Sequence, residues 1–171
     1  DHSLVQGNFI GTDATGEIAI GDGGAGVLID QASTYNIVGG TTAGARNLIS
    51  GMSIFSPGVQ IAGTNGAPET SNNIVEGNYI GTDITGAAPI TYPDSNFEGA
   101  RPQYGGDGVY IGSGATNNTV GGTTASARNI ISGNLNFGAE IMAWSPSAHR
   151  HCQKRDPYNP FPRSRPWPST Q

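Results

Sequence analysis

An internal repeat constrains the fold of this chain more than any other sequence feature. Residues 5–13 (VQGNFIGTD) recur as residues 75–83 (VEGNYIGTD), and residues 39–47 (GGTTAGARN) recur as residues 121–129 (GGTTASARN). The two recurrences are offset by 70 and 82 residues, so a 12-residue insertion separates them, and it falls within residues 86–108. Self-similarity of this kind is typical of proteins built from stacked repeats.

A shorter unit lies within this pattern. Gly-Val-x-Ile occurs at residues 26–29, 58–61 and 108–111, with a degenerate copy at 138–141, at spacings of 32, 50 and 30 residues. Two further apolar segments, each opened by Asn, follow each of the first three copies. Strands this short bury no face alone. The pattern therefore predicts an all-β, right-handed parallel β-helix (solenoid) over residues 1–142, with about four coils of three short strands.

The repeat also predicts which side chains stack from coil to coil. Strand alternation places two rows inside the solenoid, Val27, Val59 and Val109, and Ile29, Ile61 and Ile111. It leaves Leu28, Gln60 and Tyr110 outside. The recurrent Asn residues are expected to form amide ladders at the corners. A sandwich of antiparallel hairpins is the alternative, but hairpins need not repeat identical corner residues at a coil-length period.

The runs GNxIGTDxTG, NNTVGGTTASARNIISGN and GVYI resemble the β-helix repeats of large secreted bacterial proteins in the pectate-lyase-like superfamily. The resemblance covers residues 4–141. It implies the β-helix fold and a secreted or cell-surface location. It leaves the activity open, because that superfamily includes polysaccharide lyases, glycoside hydrolases, epimerases, phage tailspikes, adhesins and ice-binding proteins.

Charge and composition narrow the classes of partner. The net charge is −5, and five of the eight Lys and Arg residues lie in residues 150–171. The body of the chain is therefore acidic, which disfavours nucleic acid as a partner. A single cysteine excludes an internal disulfide. No apolar run approaches the roughly 20 residues of a membrane span, and no signal peptide is expected because residues 1–13 already belong to the repeat.

The repeat pattern stops after Met142. Residues 143–171 contain no Gly and six Pro, and their charge is basic. We expect an irregular tail, a makeshift cap over the last coil, or a segment that is not native to the fold. The chain begins in mid-coil, so both ends look cut from a longer solenoid. Exposed coil ends carry unpaired strand edges, which predicts a homo-oligomer.

The inserted loop carries the candidate site residues. Loop 85–107 and the equivalent loop 14–25 leave the same predicted corner and are expected to line one groove. Three carboxylates are the catalytic candidates: Asp94, Glu98 and Asp107. The predicted substrate-binding residues are Tyr92, Phe97, Arg101, Tyr104, Glu17 and Asp22. Aromatic faces stack on sugars, charged groups bind hydroxyls or uronates, and a carboxylate pair can serve as acid and base in glycoside hydrolysis. A solvated surface loop is the alternative interpretation.

Other polar residues have structural interpretations beside the functional ones. Asp13 and Asp83 could ligate calcium, the one candidate cofactor, but their recurrence favours Asx-turns. Arg46 and Arg128 resemble a lyase's substrate-binding arginine, or each forms a structural bond to a neighbouring coil. The run His149-Arg150-His151-Cys152 could bind a metal, but it lacks a second ligand pair. We therefore expect at most adventitious metal binding there.

Three functions therefore remain open. The first is a secreted protein that binds or cleaves a polysaccharide or cell-surface glycan, as a glycoside hydrolase or polysaccharide lyase if it is an enzyme. The second is a non-catalytic structural or adhesive fragment of a longer surface protein. The third is ice binding, which needs Thr-x-Thr in every coil, whereas residues 41–42 and 123–124 are adjacent threonines in only two coils.

Overall fold

A computed structural model of the chain describes residues 1–21, 23–53, 55–63, 69–92 and 106–142. These residues contain twelve short strands, a single 3₁₀ turn and no α-helix. None of the helical structure among them is long or apolar enough to cross a membrane. The predicted tail, residues 143–171, lies outside the described residues.

The strands are two to four residues long and are numbered in chain order. They are β1 (Leu4–Val5), β2 (Phe9–Ile10), β3 (Val27–Ile29), β4 (Ile37–Gly39), β5 (Leu48–Ile49), β6 (Val59–Ala62), β7 (Ile74–Glu76), β8 (Tyr79–Ile80), β9 (Val109–Gly112), β10 (Thr119–Val120), β11 (Ile130–Ile131) and β12 (Ala139–Ile141). The 3₁₀ turn spans Ala43–Ala45, between β4 and β5.

The strands form three four-stranded parallel sheets. Sheet 1 has the order β1-β4-β7-β10, sheet 2 the order β2-β5-β8-β11, and sheet 3 the order β3-β6-β9-β12. The chain visits the sheets in turn, which gives coil I (β1–β3), coil II (β4–β6), coil III (β7–β9) and coil IV (β10–β12). This arrangement confirms the predicted parallel β-solenoid of about four coils with three strands each.

The predicted interior rows are confirmed by the strand register. In sheet 3, Val27 pairs with Val59 and Val59 with Val109, while Ile29, Ile61 and Ile111 form the second row. Sheets 1 and 2 add rows of the same kind: Val5, Val38, Val75 and Val120, and Ile10, Ile49, Ile80 and Ile131. The members in coils II and III are buried, because each has a neighbouring coil on both sides.

Two asparagine ladders join the coils, as the recurrent Asn residues predicted. The ladder before sheet 2 contains Asn8, Asn47, Asn78 and Asn129, and the ladder before sheet 1 contains Asn36, Asn73 and Asn118. In each step, one Asn donates its main-chain N–H and its Nδ2 to Oδ1 of the next. No buried side-chain nitrogen or oxygen of the described residues lacks a hydrogen-bond partner, so the corner amides are buried with their hydrogen bonds satisfied.

Two kinds of coil alternate along the solenoid. Coils I and III reach sheet 2 through Gly-Asn, and we call them G-type; coils II and IV reach it through Arg-Asn, and we call them R-type. Arg46 of coil II donates Nε to the carbonyl oxygen of Gly77 in coil III at 3.2 Å. Its guanidinium carbon lies 4.3 Å from the ring centre of Tyr79. The structural interpretation of Arg46 is therefore confirmed.

Candidate functional site

Loops from three coils meet at the corner between sheets 2 and 3. The loop of coil I lies against the loop of coil III, since Ala19 donates its main-chain N–H to the carbonyl of Thr91 at 2.8 Å and Thr91 donates to the carbonyl of Glu17 at 3.3 Å. A second contact joins the main-chain N–H of Ile84 to the carbonyl of Gly16 at 2.9 Å. The two long loops therefore lie side by side at one corner.

The insertion is fixed at both ends on the short loop of coil II. The Tyr92 hydroxyl donates to the carbonyl of Met52 at 3.2 Å. The main-chain N–H of Gly106 is directed at the carbonyls of Ser53 and Ser56, at 3.2 and 3.0 Å. Loop 85–107 therefore leaves and rejoins the solenoid beside sheet 3.

Most of the predicted site residues fall outside the described residues. These are Asp22, Asp94, Phe97, Glu98, Arg101 and Tyr104. Glu17 is exposed and meets the neighbouring loop through its main chain, and Tyr92 anchors the insertion. Asp107 is the predicted catalytic candidate that the structure places.

The outer face of sheet 3 carries one row of side chains along the solenoid axis. The register aligns Leu28 with Gln60, Gln60 with Tyr110, and Tyr110 with Glu140. Neighbouring strands of a sheet lie about 4.8 Å apart, so the row has a regular spacing. The outward positions predicted for Leu28, Gln60 and Tyr110 are confirmed, and Leu28 is 54% exposed.

A carboxyl pair lies at the coil IV end of this row. Asp107, where the insertion returns to the solenoid, accepts the main-chain N–H of Phe137 on Oδ1 at 3.2 Å. The pKa of Glu140 is raised above its ordinary value by burial, and further by the negative charge of Asp107 and a hydrogen bond to it. The Tyr110 hydroxyl donates to the sulfur of Met142 at 3.7 Å. Two interacting carboxyl groups therefore lie beside an aromatic ring on an outer face.

This pair has the chemistry of a proton donor and acceptor. A carboxyl group whose pKa is raised retains its proton at a higher pH, while a neighbouring carboxylate can accept one. Among the described residues, no three His, Cys, Asp or Glu side chains lie close enough together to hold a metal ion. The Asp107 and Glu140 side chains support acid–base chemistry and hydrogen bonding.

The recurrent aspartates close turns, as their repetition predicted. Thr15 donates its hydroxyl to both carboxylate oxygens of Asp13, at 2.9 and 2.8 Å, and the main-chain N–H groups of Glu17 and Ile18 point at Oδ1. Thr85 donates to Asp83 in the same way, at 2.7 Å. These hydrogen bonds hold the pKa of each aspartate below its ordinary value.

Sequence reasoning missed two features of this surface. It gave no role to Glu140, although the coil spacing places that residue beside Tyr110 and brings it to Asp107. It also missed a groove of about 280 Å³ on the outer face of sheet 2, lined by Phe9, Arg46, Leu48 and Tyr79 among others. The recurrent aromatic residue of the Gly-Asn-aromatic-Ile segments was the available signal for that groove.

No protein-family model matches the sequence, and comparisons with curated proteins and with solved structures give no significant match.

Proposed function

We propose that this protein is a secreted, carbohydrate-interacting β-solenoid that binds a polysaccharide along the outer face of sheet 3, beside insertion 85–107. The observation that supports this proposal is the Asp107–Glu140 carboxyl pair next to Tyr110 on an outer row of side chains. The same three parallel sheets and Asn ladders support membership of the pectate-lyase-like superfamily as part of the proposal.

The outer row suits an extended, hydroxyl-rich ligand. Tyr110 offers a ring face for the apolar side of a sugar, and Gln60, its neighbour in the row, offers an amide donor and acceptor for hydroxyl groups. The row continues over four coils, so successive sugars of one chain would meet successive coils. A polysaccharide lying parallel to the solenoid axis is therefore the matching ligand.

The proposal extends from binding to cleavage of the polysaccharide. The reaction that the Asp107–Glu140 pair supports is hydrolysis of a glycosidic bond. Glu140 would protonate the glycosidic oxygen, because its raised pKa keeps it protonated to a higher pH. Asp107 would take a proton from the attacking water, whose oxygen bonds to the anomeric carbon as the glycosidic bond breaks. Because the two carboxyl groups of a glycoside hydrolase stand at least about 5 Å apart, sugar binding would have to separate this hydrogen-bonded pair.

Binding and turnover can be tested separately on the full chain. A glycan array with acidic and neutral polysaccharides measures binding, and a reducing-sugar assay measures cleavage. Tyr110→Ala should abolish binding, whereas Glu140→Gln and Asp107→Asn should abolish turnover and retain binding. Glu76→Gln is the matched control, because it removes the same charge from sheet 1. No binding by the wild-type protein to any of these glycans would contradict the proposal.

A non-catalytic structural or adhesive role is the second candidate. The observation that favours it is the structural use of three conspicuous charged residues: Asp13 and Asp83 close turns, and Arg46 joins two coils. In that case Glu140→Gln would change neither glycan binding nor product formation, and adhesion would be retained by variants of the carboxyl pair.

A further inference from the structure

We infer that the two end faces of the described solenoid bind each other between copies of the chain, so that the protein assembles head to tail. The contact would reproduce the junction of coil II with coil III, because coil IV is R-type like coil II and coil I is G-type like coil III. This inference is independent of the proposed carbohydrate binding.

The junction of coils II and III rests on side-chain contacts as well as strand pairing. Arg46 donates to the Gly77 carbonyl and covers the Tyr79 ring. Asn47 donates its main-chain N–H to Oδ1 of Asn78 at 3.2 Å. A third contact joins the Ser50 hydroxyl to the carbonyl of Thr82 at 2.7 Å.

Coil IV presents the donors of this junction again. Arg128, Asn129 and Ser132 occupy the positions of Arg46, Asn47 and Ser50 in the 82-residue repeat. Arg128 is exposed, whereas Arg46 is half-buried. Arg128 also lines a groove of about 300 Å³ at this end of the solenoid, together with Val120 and Ile131.

Coil I presents the acceptors. Gly7, Asn8, Phe9 and Thr12 occupy the positions of Gly77, Asn78, Tyr79 and Thr82 in the 70-residue repeat. Asn78 is fully buried by the R-type coil before it, while Asn8 is exposed. Phe9 is 44% exposed, so part of its ring is accessible to Arg128 of a second copy.

Superposing the repeats gives the register of the contact. Arg128 would donate to the Gly7 carbonyl of the second copy and cover its Phe9 ring. Strand β10 would pair with β1, β11 with β2, and β12 with β3 of the second copy, continuing all three sheets. Such a contact joins two different faces and does not close on itself, so it would generate open chains. One ladder would be weaker, because Ser3 stands at the position of Asn73.

A second copy fits the coil IV face better than an unrelated partner. The reason is that a neighbouring coil packs its main chain against a residue without a side chain at this position. At Gly39, an added Cβ would collide with the Glu76 carbonyl oxygen of the next coil. Gly121 holds the same repeat position in coil IV, with φ +82°, and an added Cβ there would meet nothing within 4 Å. A methyl group at Gly121 would therefore cost the single chain only the strain of its positive φ, and it would collide only with a stacked copy, at its Gln6 carbonyl.

Variants with one end face blocked by substitution test the inference. Sedimentation velocity of the full chain, up to about 100 µM, measures how strongly the wild type and each variant associate. Gly121→Ala with Arg128→Glu blocks the coil IV face. Leu4→Pro with Phe9→Pro blocks the coil I face, since both residues open edge strands, where proline is tolerated. The wild type should form dimers and longer chains, and each blocked variant alone should associate at least about tenfold more weakly.

An equimolar mixture of the two blocked variants decides the orientation. Each retains one open face, so the mixture should form a dimer and nothing longer. Far-UV circular dichroism confirms that each variant is folded. If the double variant is unfolded, Arg128→Glu alone is the milder replacement, because the Arg128 side chain forms no hydrogen bond, ion pair or ring contact within the described residues. A monomeric wild type at about 100 µM, or a mixture without dimer, would overturn the inference.

Discussion

Oδ1 of Asn78 accepts two hydrogen bonds from Asn47 of the preceding coil, one from its main-chain N–H at 3.2 Å and one from its Nδ2 at 2.9 Å. Asn78 repeats both bonds as donor to Asn129, at 2.9 and 3.1 Å. Its Nδ2 also lies 2.9 Å from the Val38 carbonyl. One amide thus joins three consecutive coils inside the protein.

Asn78→Ala should therefore destabilise the solenoid strongly. The substitution leaves buried N–H and carbonyl groups of neighbouring coils without partners, at a cost of about 3 kcal/mol. Urea unfolding followed by circular dichroism measures the change. Asn8→Ala is the matched control at the exposed end of the same ladder, and its cost should stay below about 1 kcal/mol. Equal effects at the two positions would argue against the ladder as the cause.

Gly39→Ala and Gly121→Ala should differ although both occupy the same repeat position. Both residues have positive φ, which costs alanine about 1 kcal/mol. At Gly39 the new methyl group would also collide with the Glu76 carbonyl, so we expect a total loss of at least about 3 kcal/mol. Chemical unfolding at low protein concentration compares the two variants. A loss at Gly121 as large as that at Gly39 would contradict the open space seen there.

Arg46 and Tyr79 should be energetically coupled. The guanidinium group lies over the ring at 4.3 Å, a partly buried cation–π contact worth about 1 kcal/mol. A double-mutant cycle with Arg46→Ala and Tyr79→Leu isolates this term from unfolding free energies. Arg128→Ala should leave the stability of the monomer unchanged, and additive effects of the first two substitutions would show that the ring contact contributes nothing.

Asp13 and Asp83 should contribute to the loss of stability in acid. The Thr15 and Thr85 hydroxyls and nearby main-chain N–H groups lower the pKa of these carboxyls below 3.8. The folded state thus binds these protons less readily than the unfolded chain. The stabilisation is present above about pH 3.8 and is lost as the pH falls through the folded pKa.

Replacing the two aspartates should therefore flatten the acid limb of the stability curve. Unfolding free energies of Asp13→Asn/Asp83→Asn, measured from pH 6 downward, should change less with pH than those of the wild type. Thr15→Val/Thr85→Val removes the largest cause of the shift and should reproduce most of the effect. A slope identical to that of the wild type would rule out the two turns as the source.

Glu140 should show the opposite pH dependence. Its pKa is raised above 4.5 by burial and by Asp107, so the folded state binds this proton more readily than the unfolded chain. That contribution is fully present below pH 4.5 and is lost as the pH rises through the folded pKa. Glu140→Gln should therefore be more stable than the wild type at neutral pH and differ little below pH 4.

The carboxyl resonances provide a direct measurement of the same pair. In an NMR titration, Asp107→Asn should lower the pKa of Glu140 toward 4.5, but only in part, since the burial of Glu140 remains. An unchanged Glu140 titration in Asp107→Asn would show that the two carboxyl groups do not interact.

The coil architecture was predictable because the sequence repeats at the level of single side chains. The rows of Val27, Val59 and Val109 and the corner asparagines depend on contacts between equivalent positions of successive coils, and the turn role of Asp13 depends on a local motif that recurs at Asp83. Such contacts follow from the repeat alone, since parallel stacking places equivalent positions over each other.

The candidate site was less predictable because it depends on departures from the repeat. Asp107 follows an insertion, and Glu140 lies in a degenerate copy, so no other coil carries a carboxylate at either repeat position. Their proximity requires knowing how residues 85–107 return to sheet 3. The pKa of Glu140 also depends on local burial, which residue spacing does not specify.

The alternation of coil types has a consequence for how this chain could have grown during evolution. Gly77 has φ +71°, and a Cβ there would collide with the Gly40 carbonyl of the preceding R-type coil. Arg46, at the equivalent position of an R-type coil, has φ −63° and follows a longer corner. The same repeat position therefore demands glycine in one coil and accepts a long side chain in the next, and duplication of a G-type and R-type pair would keep these demands in phase.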